Sequence, residues 1–394
     1  MNIKSIGNQL ISNNKIIASV WFGLVLLALV NAYNNHAFNN FIIFRQSFFH
    51  LQNETNLYLE YLTQYWDHYY YSPSFAALVV PFTLLPVAVS MFAWGIFDAG
   101  VLYYAIRQLP IHKKKQNFIL LLSANEMMNA TSNLQSNGIM AATIILSFVY
   151  LINQKESRST LMMLLGFFVK LYSITALAFF FFSANKKRFI ISFVFWLMVL
   201  LFYPLIFTSP TFLLQSYKDW AAALSLKSNF DITVSMYHNM VDITLQGMIK
   251  RIFNFPSLNK WFIILPGLLI FGAQYLYYKH FSNPIYRLYI LCSVLLFIIV
   301  FNTGTESPTY IIGVPAICLW YVLQEKTKWN NILFIVAIFF SSFSYSDIFT
   351  PWVRTHIMMP YALKALGCFI IWVVIAVQIF TRQFLKVQLK EVID

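Results

Sequence analysis

Charged residues are scarce in this chain of 394 residues: Asp, Glu, Lys and Arg together make up 10% of it. A soluble globular protein has roughly 25% of such residues. Apolar residues account for 59% of the sequence and aromatic residues for 19%. The composition therefore excludes an ordinary soluble protein and predicts an integral membrane protein.

Cysteine is also rare. Cys292, Cys318 and Cys368 all lie inside apolar runs, so they offer neither a disulfide framework nor a spaced metal-binding pair, and we interpret them as packing residues. The sequence lacks a Walker A loop, a Rossmann glycine pattern, an HExxH motif and a closely spaced DxD. These absences argue against ATP hydrolysis, nicotinamide chemistry and a soluble nucleotide-sugar transferase. No cofactor and no metal ligand are predicted, and metal dependence is left open.

Acidic residues are outnumbered by basic ones, 14 to 27, which gives a formal net charge of +13. The basic residues lie in short clusters between apolar runs and form no stripe interleaved with aromatics, so nucleic acid is not expected as a partner. Cytoplasmic loops of membrane proteins are enriched in Lys and Arg. Membrane topology therefore explains the charge better than ligand binding.

Long apolar runs dominate what is present. They are apolar on all faces, as helices of ~20 residues that cross a bilayer must be. We predict an all-α polytopic membrane protein with about 12 transmembrane helices (range about 10–13), forming one membrane-embedded domain over residues 1–394. The predicted spans lie near residues 15–33, 87–106, 117–130, 138–152, 160–169, 171–184, 188–207, 260–279, 285–302, 308–323, 330–346 and 360–381. The first is interpreted as an uncleaved signal anchor.

Charge asymmetry decides the topology at two places. The segment 74–86 is short and interrupted by proline, and a juxtamembrane or re-entrant helix there keeps the basic loop 112–115 in the cytoplasm. Two short helices that meet at Lys170 keep the basic cluster 186–188 there too. Both termini are then cytoplasmic, and we predict a multi-pass protein of the plasma (inner) membrane whose active site faces the periplasm or exterior.

Two long segments, 34–73 and 208–259, fall on the outer side under this topology. Both are longer than a connector requires, so the functional site is expected there. The first contains WDHYYYSPSF, with Asp67, His68 and Tyr71. Asp67 is the preferred general base, because transfer of a group to a hydroxyl needs a residue that takes the proton of that hydroxyl. His68 and Tyr71 are candidate substrate ligands; the alternatives are a solvated loop acid and an interfacial aromatic belt.

Lys170 stands alone within an apolar stretch, where a charge is costly and is a functional hypothesis by default. It would neutralise a leaving phosphate, unless it only snorkels to the membrane surface. Gln135 and Asn137 lie in SNLQSNG; their amides can donate and accept, which suits a sugar or an ordinary polar turn. Asp98 also lies in an apolar run, without an obvious partner in the sequence.

Further candidates lie between later spans. Glu126 is expected near the outer surface, where it could face the same cavity. Glu306 and Tyr310 in GTESPTY are candidate substrate ligands, and Arg354 and His356 in WVRTHIMMP are candidate phosphate ligands.

Five segments carry a family resemblance: 39–58, 70–86 (YYSPSFAALVVPFTLLP), 134–146 (LQSNGIMAATIIL), 166–177 (GFFVKLYSITAL) and 306–315 (ESPTYIIGVP). Their order and spacing resemble glycosyltransferase family 87, the polyprenol-phosphate-sugar-dependent membrane enzymes of the GT-C class, which include mannosyltransferases. The resemblance implies a GT-C-like fold with a polar first outer loop. It also implies that Lys170, Gln135 and Asn137 line the donor site.

One position departs from that family. An aspartate usually opens the first-loop pattern and is held to be the catalytic base, whereas the matching residue here is Asn40. An amide cannot act as a general base at neutral pH. Either Asp67 has taken the role, or this branch of the family is altered or inactive.

We therefore expect an inverting hexosyltransferase, with mannose as the first candidate sugar. The donor would be a polyprenyl-phosphate sugar, and the acceptor a lipid-linked or cell-envelope lipid or glycan at the outer face of the bilayer. The alternative is a non-enzymatic transporter or flippase of lipid-linked saccharides. Transporters often have repeated halves, and no such internal similarity is visible in the sequence.

Overall fold

A computed structural model describes residues 11–234, 239–346, 350–389 and 392. Within these ranges the chain is helical and has no β-strand. The α-helices are α1 (Asn14–Asn34), α2 (Asn39–Gln52), α3 (Pro73–Leu78), α4 (Val87–Arg107), α5 (Lys113–Ser132), α6 (Asn137–Ile152), α7 (Glu156–Val169), α8 (Lys186–Phe202), α9 (Pro210–Val234), α10 (Leu245–Ile252), α11 (Trp261–Ala273), α12 (Pro284–Phe301), α13 (Gly313–Val322), α14 (Lys328–Ile338), α15 (Pro351–Val353) and α16 (Lys364–Phe380).

Five helices are long and apolar enough to cross a membrane. They are Asn14–Asn34, Val87–Arg107, Lys186–Ile206, Trp261–His280 and Pro284–Phe301, and each coincides with a predicted span. Shorter apolar helices are Asn137–Ile152, Leu171–Phe182, Ser307–Val322, Lys328–Phe343 and Lys364–Phe380. The helices fit the predicted helical membrane protein, while the count of twelve crossings stays a prediction.

The segment around Ser74 forms only the six-residue helix α3 and a 3₁₀ turn, Val80–Phe82. Ser72 caps α3 by accepting a hydrogen bond from the Phe75 amide at 3.0 Å. Proline at the first helical position favours this start, and Pro81 ends the helix because it lacks an amide donor. At 1.5 Å per residue α3 is about 9 Å long, far less than the ~30 Å of a hydrocarbon core. It is too short to cross alone, and its juxtamembrane or re-entrant position stays a prediction.

The predicted helix break at Lys170 is confirmed. Helix α7 ends at Val169, Lys170 has extended backbone angles (φ −144°, ψ 129°), and a 3₁₀ helix runs over Leu171–Phe182. The Lys170 amide donates to the Gly166 carbonyl at 2.8 Å, and the Ser72 hydroxyl donates to the Phe168 carbonyl. The first is the last regular bond of α7, and the second satisfies a carbonyl that the helix end would otherwise leave without a donor.

Both long segments that the sequence predicts to lie outside contain helices. The first, 34–73, contains α2 and continues without regular helix to Ser72. The second contains α9, of 25 residues, and the eight-residue α10. These two segments are therefore structured parts of the protein rather than plain connectors.

The chain divides into two compact units, each built from separate stretches. The Lys170 unit comprises Phe22–Ala105 and Met128–Phe230. The Lys364 unit comprises Met1–Trp21, Ile106–Met127 and Asp231–Asp394. The predicted single domain over residues 1–394 stays a prediction.

The core of the Lys364 unit is α12, which is buried on all faces from Ile285 to Phe301 except at Arg287. Asn283 caps α12 by accepting from the amides of Ile285 and Tyr286 at 2.8 and 3.1 Å. Helices α13 and α16 pack against α12. A helix hydrophobic all round is stable only when neighbours cover it in this way.

The core of the Lys170 unit is formed by α6, α7 and α8, which pack in sequence. Helix α3 lies against this group, because the Ser74 hydroxyl donates to the Leu200 carbonyl at 2.8 Å. Ser74 also contacts the Tyr217 hydroxyl at 2.7 Å. The short helix is therefore attached to both α8 and α9.

Candidate functional site

Lys170 projects its side chain from the helix break toward the start of α6. Its Nζ donates to the Asn137 Oδ1 at 2.8 Å. Asn137 is fully buried, and its own Nδ2 donates to the Gln135 Oε1 at 2.6 Å. The structure thus brings together three of the five residues proposed from the sequence for binding the donor or its phosphate. We call them the Lys170 cluster.

Two aromatic rings flank the ammonium of Lys170. The Tyr71 and Tyr172 ring centroids lie 5.8 and 6.0 Å from it, within the range of cation–π attraction. The Tyr172 hydroxyl also approaches the Asn137 Oδ1 at 3.4 Å. Tyr71 is itself held against Phe44, with ring centroids 4.9 Å apart. Tyr71 was a sequence candidate; Tyr172 was missed.

Asp98 fixes the start of α6, a role the sequence did not reveal. Its side chain is 1% exposed, and its Oδ1 accepts from the Ile139 amide at 2.6 Å. It also accepts from the Gly138 amide and interacts electrostatically with Lys170. A carboxylate at a helix N-terminus satisfies orphan amides and complements the helix dipole. Asp98 therefore holds the turn that carries Asn137.

The start of α2 holds the backbone of two other segments. The Asn40 Nδ2 donates to the Asn133 carbonyl at 2.8 Å. Asn39 pairs with the Trp66 backbone in both directions, at 2.6 Å as donor and 3.0 Å as acceptor. A carboxylate at position 40 has no proton to give to that carbonyl at neutral pH. Asn40 thus has a structural role here.

Asp67 follows Trp66 and is exposed at the surface, with a left-handed backbone (φ 79°). Its Oδ1 accepts from the His68 amide at 2.7 Å. The His68 Nε2 also lies 3.3 Å from the Glu60 Oε1. Asp67 therefore combines an accessible carboxylate with a fixed backbone, and its catalytic role stays a prediction.

Glu126 and Tyr310 lie in the Lys364 unit, in a buried polar cluster. The Lys364 Nζ lies 2.9 Å from the Glu126 Oε2, and both side chains are 1% exposed. Lys364 also donates to the Ser307 hydroxyl at 2.9 Å, and its ammonium lies 4.9 Å from the Tyr310 ring centroid. The Tyr310 hydroxyl donates to the Ile243 carbonyl at 2.9 Å. Glu126 is thus buried in an ion pair, and its place near the outer surface and in the substrate site stays a prediction.

The remaining candidates are placed as follows. Glu306 forms a capping box with Thr309 at the 3₁₀ helix Ser307–Ile311. Arg354 and His356 lie in the π-helical turn after α15. His356 stacks on Trp352, with ring centroids 5.1 Å apart, and its Nδ1 lies 3.0 Å from the Trp352 carbonyl oxygen. Their proposed roles in substrate and phosphate binding stay predictions.

The fold and the Lys170 cluster define a helical membrane protein that holds a cationic, amide-lined polar site in one of its two units. The family of such proteins follows from comparison: the model of glycosyltransferase family 87 matches residues 69–302, more than half of the chain. The chain belongs to glycosyltransferase family 87 and is a glycosyltransferase. No curated protein matches it significantly. The matched range includes Lys170, Gln135 and Asn137 but neither Asn40 nor Asp67.

Proposed function

We propose that this glycosyltransferase moves a hexose, with mannose as the first candidate, from a polyprenyl phosphate to a lipid or glycan acceptor. The reaction takes place at the non-cytoplasmic face of the plasma membrane, with both termini in the cytoplasm. The observation that carries the proposal is the Lys170 ammonium, which lies between two tyrosines and bonds to a buried asparagine in a chain of this family. A cation fixed in this way suits a phosphate leaving group.

The chemistry is a single inverting displacement. An acceptor hydroxyl attacks the anomeric carbon, the bond from that carbon to the phosphate oxygen breaks, and the polyprenyl phosphate leaves with the bonding electron pair. Asp67 takes the proton of the hydroxyl as general base. Lys170 neutralises the charge that develops on the leaving phosphate.

Transfer in proteoliposomes tests the proposal. The assay supplies radiolabelled polyprenyl-phosphate-mannose or polyprenyl-phosphate-glucose together with extracted membrane lipids, and it compares wild type with Lys170→Met and Asp67→Asn. Matched controls are Lys187→Met and Glu325→Gln, because both residues are exposed. Loss of one stabilising group at the transition state lowers kcat by about 10²–10³, so both site variants should lose most activity while the controls keep it.

Asn40→Asp separates a relocated base from an inactive branch. If Asp67 is the base, Asn40→Asp gains nothing, because Asn40 donates a hydrogen bond to the Asn133 carbonyl. Activity that is absent from wild type and present only in Asn40→Asp would show that this chain has lost the chemistry. Transfer that survives Asp67→Asn unchanged would remove Asp67 from the mechanism.

A further inference from the structure

A second set of cations lies in the Lys364 unit, within the outer segment that contains α10. Lys250 and Arg251 are adjacent near the end of α10, and Lys250 is 0% exposed. Arg251 is 9% exposed, and its Nη2 donates to the Val241 carbonyl at 2.5 Å. Neither residue was singled out from the sequence, where KR in a polar outer segment resembles an ordinary surface pair.

The scaffold around these cations is fixed by backbone bonds. The Ile243 amide donates to the Thr305 carbonyl at 2.7 Å, and the Ile243 carbonyl accepts from the Tyr310 hydroxyl at 2.9 Å. A β-carbon added at Gly247 would collide with the Asp242 carbonyl oxygen, so α10 packs tightly against the segment that precedes it. The backbone of α10 is therefore held against this segment.

The Lys250 ammonium has no hydrogen-bond partner within the described part of the chain. The nearby carboxylate of Asp242 is 3% exposed and accepts from the Thr244 hydroxyl at 2.6 Å. Lys364 offers a contrast in the same unit, since its ammonium is bonded to Glu126 and Ser307. A buried ammonium without a partner is costly and is expected to meet an anion.

Charge and donor geometry indicate which anion fits. Two cations face one carboxylate, so the cluster has a net positive charge when all three are ionised. Burial lowers the pKa of Lys250, and the carboxylate of Asp242 offsets part of that shift. An anionic ligand would raise the pKa of Lys250 further. A point ammonium beside a guanidinium fork is a common recognition pair for phosphate oxygens.

We propose that Lys250 and Arg251 bind a phosphate group of a lipid substrate, with the Lys250 Nζ as its principal donor. The assignment to a substrate lipid rests on the proposed function. Two lipids present the same chemistry: the polyprenyl phosphate of the donor, and an acceptor lipid that carries a phosphate. Free phosphate is a third source of the same oxyanion.

Binding to the purified full-length protein in nanodiscs tests the proposal without requiring catalysis. The probes are polyprenyl phosphate, polyprenol without phosphate, phosphatidic acid and inorganic phosphate, and the variants are Lys250→Met and Lys187→Met. A charge-assisted hydrogen bond corresponds to about tenfold to hundredfold in affinity. Lys250→Met should therefore weaken the binding of a phosphate probe by that factor. Lys187→Met should bind every probe as the wild type does, and neither variant should change the binding of polyprenol.

The comparison of the three phosphate probes identifies which molecule supplies the bound phosphate. Weakened binding of polyprenyl phosphate alone assigns the donor, weakened binding of phosphatidic acid alone assigns an acceptor lipid, and an effect on all three phosphates assigns the oxyanion itself. Equal binding of every probe by Lys250→Met and wild type would overturn the proposal.

Folding and catalysis are checked separately. Methionine removes a buried charge and keeps the length of the side chain, so ligand-free Lys250→Met should unfold at the wild-type temperature or above it. If phosphate binding depends on Lys250 but the wild type transfers no sugar, only the proposed function is contradicted. If transfer depends on Lys170 but phosphate binding does not depend on Lys250, only the proposed phosphate site at Lys250 is contradicted.

Discussion

The carboxylate of Asp98 occupies the space that a β-carbon at Gly138 would need. An ideal β-carbon there would lie 2.7 Å from the Asp98 Oδ2 and 2.9 Å from the Asp98 carbonyl oxygen. Gly138 thus allows α4 to approach the first turn of α6, and this approach lets Asp98 accept from the Gly138 and Ile139 amides. The position of Asn137 depends on that contact.

Gly138→Ala is expected to separate α4 from α6 and to lower both the unfolding temperature and transfer activity. The cost is about 1–3 kcal/mol, because overpacking strains the contact and buried amides lose their acceptor. Gly100→Ala is the matched control in α4, since apart from its own stretch of helix nothing lies within 4 Å of its added β-carbon. It should be neutral or stabilising by up to about 1 kcal/mol. Equal thermal unfolding curves for the two variants would contradict this account.

Asn137→Asp should reduce transfer more than it reduces stability. The new carboxylate can still accept from Lys170, but it neutralises the ammonium and can no longer donate to the Gln135 Oε1. Removing one preorganised cation from a developing charge costs about 10²–10³ in kcat. Asn254→Asp, at an exposed position, controls for an added charge. An unchanged kcat in Asn137→Asp would mean that Lys170 does not act on the leaving group.

The ion pair between Glu126 and Lys364 should show strong coupling in a double-mutant cycle. Each single variant, Glu126→Leu or Lys364→Met, leaves one buried charge without its partner and should cost about 3–5 kcal/mol. The double variant removes both charges and should cost less than the sum of the two. Thermal or denaturant unfolding in nanodiscs measures the three differences, and simple additivity would show that the pair contributes nothing as a unit.

His50 should make stability depend on pH. Its side chain is 5% exposed, its Nε2 lies 2.9 Å from the Gln64 Oε1, and its ring centroid is 4.0 Å from that of Tyr61. Burial lowers the pKa of His50 below its ordinary 6.5, and the bond to Gln64 offsets part of this. As pH falls through about 6.5, the unfolded chain takes up a proton before the folded protein does, so stability decreases toward the folded pKa.

Unfolding temperatures between about pH 7.5 and 5.5 test this dependence. His50→Gln should flatten the decrease, whereas His36→Gln, at an exposed position, should leave it unchanged. A wild-type profile that is flat over this range, or one that His50→Gln does not alter, would rule out the proposed linkage.

The sequence predicted the break at Lys170 because charge asymmetry and the cost of a membrane lysine point the same way. It predicted that Gln135, Asn137 and Lys170 meet because the family resemblance brought them to one site. It could not predict the partner of Asp98, since the groups that Asp98 binds are backbone amides about forty residues away with no side-chain signal.

Lys364 was detectable but was missed. It lies in YALKALGCFIIWVV, and a lone lysine in an apolar run is the same signal that singled out Lys170. Lys250 gave no such signal, because α10 is covered by α12 and α16, which lie far from it in the sequence. Only the folded chain distinguishes it from an exposed lysine.

The hydroxyl of Ser72 that donates to the Phe168 carbonyl has a consequence for how the protein is made. A ribosome completes Ser72 and helix α3 well before the break at Lys170 emerges, and N-terminal parts of a chain generally fold first. Polar backbone at membrane depth is tolerated only where protein covers it. The residues that cover the end of the broken helix have therefore already been synthesised when α7 is made, so the order of the elements along the chain lets the break fold directly against its cover.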